Sequence, residues 1–73
     1  DLKKLLTNCE NKISKYEKQK SILEDEMLLE NFYEANNQKR IQEVNIELKT
    51  LINLITEEEK KWEELVVKIE KLN

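Results

Sequence analysis

The sequence predicts an all-α fold, an antiparallel two-helix coiled-coil hairpin. Three observations carry this. Gly and Pro are both absent from all 73 residues, so there is no hairpin-turn chemistry for β-strands. Charged residues make up 40% and aromatics only 5%, the composition of long, solvated helices. Apolar residues recur in heptads along nearly the whole chain.

The heptads define a seam. In the first arm the a positions are Leu6, Ile13, Lys20 and Met27, and the d positions are Leu2, Cys9, Tyr16 and Leu23. In the second arm, a is Ile41, Leu48, Ile55, Trp62 and Ile69, and d is Val44, Leu51, Glu58, Leu65 and Leu72. Only Lys20 and Glu58 are charged on this stripe, and each is expected to snorkel or to meet an opposite charge. Continued through the middle, the same frame places Glu30, Glu34 and Asn37 on the seam. Three successive polar residues cannot enter an apolar interface without cost, which argues for a break.

The reading is therefore helix one over about 1–30, a tip over about 31–36 and helix two over about 37–72. Asn31 is expected to end the first helix in the left-handed conformation. Asn36 or Asn37 is expected to cap the second through its side chain. "TNCE" and "TEEE" match the capping box but lie inside the seam, so they read as helix interior. If the tip closes near residue 34, facing residue numbers sum to roughly 69, at about 1.5 Å of rise per residue along each arm. Tyr16 then faces Leu51 and Ile55, Leu23 faces Val44 and Leu48, and Leu6 faces Trp62 and Leu65. The unbroken heptad frame leaves open one long helix paired with a second chain.

Off the stripe lie Leu5, Ile52, Leu54, Val66 and Val67, a possible second face against another hairpin, and hence a possible homodimer. One domain is all this length supports. The chain starts mid-pattern and without Met, and is read as a piece of a larger protein. A lone Cys9 suits a reducing compartment. No apolar run is long enough for a membrane span.

No catalytic constellation is expected. There is no His, no glycine loop to cradle phosphate, and Cys9 has no activating partner. The acidic runs "EDE" and "EEE" point their carboxylates in different directions, so no metal or cofactor site is expected in this chain. Interaction remains. Residues 1–20 carry six lysines against three acids, whereas residues 21–34 carry five acids and no base. Candidate nucleic-acid contacts are Lys3, Lys4, Lys12, Lys15, Lys18, Lys20, Lys39 and Arg40. The tip pair Phe32–Tyr33 offers aromatics for base stacking, though packing back to seal the turn is the preferred role. Trp62 reads as a core filler.

The stretches "ENKISKYEKQKSILEDEM", "ENFYEANNQKR" and "EEEKKWEELVVKIEKL" resemble the C-terminal coiled-coil domain of ABC-F ATPases, particularly the Uup-type branch. Phe32, Tyr33, Trp62, Glu63, Glu64 and Leu65 follow that family's order of aromatic tip and Trp-Glu-Glu-Leu motif. "LLEN" stands where the family often has Pro. The resemblance implies an antiparallel hairpin appended to a cytoplasmic protein whose ATPase domains hold ATP and Mg. It also implies a DNA-, RNA- or ribosome-engaging role through basic side chains. A rival resemblance is the C-terminal arm of valyl-tRNA synthetase, through "ENFYEA". A structural or dimerising hairpin without nucleic acid is the third reading.

Overall fold

The computed structural model describes residues 1–72. Helix α1 spans Leu2–Met27 and helix α2 spans Gln38–Leu72, with a short 3-10 turn at Ala35–Asn37 between them. They fold back on one another into a rod 57 × 14 × 14 Å in extent. The chain is a helical hairpin, and the single long helix is ruled out.

The seam follows the heptads. Every predicted a and d residue is buried or half-buried except Leu72, which is exposed. Leu23, Phe32, Val44 and Leu51 form the buried centre, with Tyr16, Met27, Ile41 and Leu48 packed against it. Three cross-helix polar contacts report the register independently. They join Glu26 to Arg40, Lys12 to Glu58 and Glu10 to Trp62. Their residue numbers sum to 66, 70 and 72, which brackets the expected 69. The lysine and glutamate on the seam differ. Lys20 is half-buried, whereas Glu58 is only 7% exposed.

Local signals set the ends. Asp1 caps α1, its carboxylate accepting from the Lys3 amide at 3.0 Å. Thr7 and Thr56 are helix interior, as the seam required. Each donates its hydroxyl to the carbonyl four residues back, Lys3 and Ile52.

The tip departs from expectation in three ways. Helix α1 stops at Met27 rather than near residue 30. Asn31 does not adopt a left-handed conformation, since no described residue has positive φ. Neither Asn36 nor Asn37 caps α2. Glu34 is extended ahead of the 3-10 turn and makes no side-chain cap. The physical reason is the same for all three. The chain reverses through successive tight turns, in which the amides of Leu28, Leu29, Phe32, Glu34 and Asn37 each bond the carbonyl three residues back. No step of that path needs a left-handed residue, so the lack of Gly imposes no strain. Asn37 instead clasps the tip, donating its side-chain amide to the Asn31 carbonyl at 2.8 Å.

Phe32 seals the turn, being 3% exposed and part of the core, while its neighbour Tyr33 is 64% exposed. The two rings meet edge to face, with centroids 4.9 Å apart. Replacing Phe32 with Ala should cost about 3 kcal/mol, whereas Tyr33→Ala should cost under about 1. Urea unfolding followed by circular dichroism separates them, and equal losses would contradict the sealing role.

Candidate functional site

Three places hold side chains with more than a packing role: the closed end beside the tip, a buried carboxylate midway along α2, and the lysine arm.

At the closed end, α1 finishes on Glu24, Asp25 and Glu26, where the negative pole of the helix makes carboxylates unfavourable. Arg40 of α2 answers them. Its Nε and a terminal nitrogen donate to the two oxygens of Glu26 at 2.6 and 2.7 Å. It also lies 3.6 Å from Glu43. This bidentate geometry is what a planar guanidinium supplies and a lysine cannot. Hydrogen bonding from Arg40 is the main reason the Glu26 carboxyl is held below its ordinary range. The same pairing raises Arg40 above its already high value. Arg40 thus ties the two arms together, with its guanidinium engaged by Glu26 and Glu43.

The buried carboxylate is Glu58. Its Oε1 lies 3.5 Å from Nζ of Lys61 and 3.9 Å from Nζ of Lys12 on the facing helix. Its Oε2 is buried and has no partner among the described residues. Beside it sits Cys9, buried on the opposite arm. Burial pushes the Cys9 thiol above its ordinary value of 9.0, and hydrogen bonding to and the charge of Glu58 add to the rise. A protonated thiol against a carboxylate is a weak donor packed on a seam rather than a nucleophile. Among the described residues, no three His, Cys, Asp or Glu side chains converge as a metal site.

The lysines do not gather. Lys3, Lys4, Lys12, Lys15 and Lys18 are exposed along α1, and Lys20 is half-buried at its seam position. Lys39 is exposed on α2, and Lys12 is drawn towards Glu58. Among the described residues, Lys3, Lys4, Lys15 and Lys18 make no ion pair. At the tip, Phe32 is buried and cannot stack on a base, leaving Tyr33 as the accessible ring. Trp62 is half-buried on the seam, and its indole donates to Glu10 at 3.2 Å. Tyr16, Leu48 and Leu65 are half-buried there too, while Leu23 and Ile55 are buried.

Sequence reasoning missed two features. It did not pair Arg40 with Glu26, because fourteen residues and a turn separate them. It also passed over Ile22 and Ile46, which lie outside the a and d positions yet border one groove. The predicted second face is divided by comparison. Leu5, Ile52 and Val67 are exposed, whereas Leu54 and Val66 are half-buried.

Two outcomes test this description. Replacing Glu58 with Leu should raise stability by about 1 kcal/mol or more, because it removes a desolvated charge with an unpaired oxygen. A lower unfolding midpoint for E58L would show that the carboxylate is net favourable. Cys9 gives a pH test. Its folded value lies above its unfolded value, so the unfolded chain ionises first. Stability should therefore fall as pH rises past about 9, and the fall should vanish in Cys9→Ala. Identical alkaline profiles for the two proteins would refute the raised thiol.

In comparisons with protein-family models, curated proteins and solved structures, the chain matches none.

Proposed function

We propose that the chain is a non-catalytic α-hairpin appendage that engages nucleic acid or the ribosome through the lysines of α1. The observation that carries this reading is the exposure of Lys3, Lys4, Lys15 and Lys18 on one arm, none of them ion-paired within the described residues. Unpaired ammonium groups on a rigid rod neutralise phosphates at little ordering cost, since the backbone is already fixed. They contact phosphate and carry no base readout, so binding is expected to be independent of sequence. Arg40 and Phe32 take no part, because one is bound to Glu26 and the other is buried.

The resemblance to the C-terminal domain of Uup-type ABC-F proteins supports the same role. On that reading the hairpin extends a cytoplasmic ATPase whose own domains hold ATP and Mg. The acidic stretch 21–34 turns the tip away from phosphate, so contact belongs to the open end of the rod.

The test is a titration against labelled duplex DNA and structured RNA at two salt concentrations. With four phosphate contacts, affinity should drop about a hundredfold between about 50 and 200 mM salt. Changing Lys3, Lys4 and Lys18 together to Glu should weaken binding and flatten that dependence. These three avoid Lys12, which pairs with Glu58. Failure to bind either ligand at low salt, or binding indifferent to the substitutions, overturns the reading.

A further inference from the structure

Ile22 and Ile46 are 67% and 65% exposed on the arms of the rod. Single exposed isoleucines need no explanation. These two stand on opposite helices beside one groove of about 470 Å³, with core residues Leu23 and Leu51 also lining it. The core below is thin, for among the described residues Val44 alone is less than 2% exposed. A two-layer rod of this length gains most by burying such a groove against another layer.

Charge indicates the occupant. Along one face of α1, at spacings of three and four, run Lys15, Lys18, Ile22 and Asp25, with Glu26 beside Asp25. Towards the open end this row is basic. Towards the tip the helix carries Glu24, Asp25 and Glu26, followed by Glu30 and Glu34, with no base among residues 21–34. Ile22 lies at the crossover. A second copy laid antiparallel about a two-fold axis through Ile22 sets each isoleucine patch against itself. It also sets the basic segment of each α1 against the acidic segment of the other, bringing Lys18 level with Asp25 and Glu26. A parallel copy would set acid on acid.

We propose that this face is where two hairpins associate, forming an antiparallel, two-fold four-helix assembly centred on Ile22 and Ile46. The contact is isologous and closed, so it stops at two copies. The groove becomes part of a shared core, and the charge row sets the orientation. This inference does not rest on the polyanion reading, since it concerns the protein alone.

Sedimentation velocity from micromolar to millimolar protein, without nucleic acid, is the test. Dimers are expected, and Ile22→Glu with Ile46→Glu should weaken association at least tenfold while leaving the helical circular dichroism unchanged. Lys18→Glu should also weaken it, and adding Asp25→Lys should restore it. Orientation is read from spin labels at Ala35→Cys in a Cys9→Ser background. Ala35 lies eleven residues before Ile46 along the second arm, so the two labels should lie about 33 Å apart, at about 1.5 Å per helical residue. A monomer at millimolar concentration, association indifferent to I22E/I46E, or tip labels within about 20 Å would each overturn the proposal.

Discussion

A hairpin of two helices has one interface to bury, and everything else in this molecule depends on that seam. In a larger domain a helix packs against several neighbours, so one poor contact is shared among many. Here α1 packs against α2 and the tip beside it, and the apolar stripe of each helix must meet the other in one register. A shift by one heptad position would turn Leu23 and Val44 outward and bring charged residues in. The seam is also uneven. It is driest near the tip, where Leu23, Phe32, Val44 and Leu51 cluster, stays buried at Ile55, Glu58 and Cys9, and is half-buried beyond them. The closed end therefore anchors the fold, and the open end follows from helix continuity.

Two devices hold that anchor. Phe32 fills the space under the turn, which lets the reversal be made of tight turns without glycine. Arg40 binds Glu26 across the arms and places positive charge where the end of α1 and three carboxylates concentrate negative charge. The two differ in kind. The aromatic contributes area removed from water, with no directional demand. The guanidinium contributes direction, because its two parallel bonds to one carboxylate accept only one relative placement of the helices. Glu58 adds a second directional element further along, where the carboxylate on the seam prefers the register that brings Lys12 close.

Much of this was legible in the sequence, for a definite reason. Heptad periodicity reports burial one residue at a time, and a hairpin buries little else, so the stripe from Leu2 to Ile69 could be read directly. Polar residues at 30, 34 and 37 marked the reversal for the same reason. What failed was the local path of the tip. Asparagine is a frequent left-handed terminator, and Asn31 invited that role. The side chain that mattered was Phe32, whose burial decides the shape of the turn and whose demand no capping rule expresses. The Arg40–Glu26 tie was not legible, because sequence spacing shows a basic residue but not the carboxylate that folding brings beside it. Ile22 and Ile46 were invisible for a similar reason. Each is unremarkable on its own helix and becomes a feature only when the arms align.

The separation of charge along α1 has a consequence that joins the two proposed surfaces. Lysines lie towards the open end and carboxylates towards the tip, so the rod is an electrical dipole along its axis. Such a rod has two ways to satisfy its basic segment. A polyanion can neutralise it, or the acidic segment of a second copy can. Lys18 is used in both arrangements, so the two occupancies draw on the same charge. Linkage then makes them mutually opposing: phosphate bound to the lysine arm lowers the affinity of one hairpin for another by the same factor that pairing lowers its affinity for phosphate. On this view the acidic end of one hairpin is part of the binding chemistry, because in a paired copy it competes with phosphate for the same lysines.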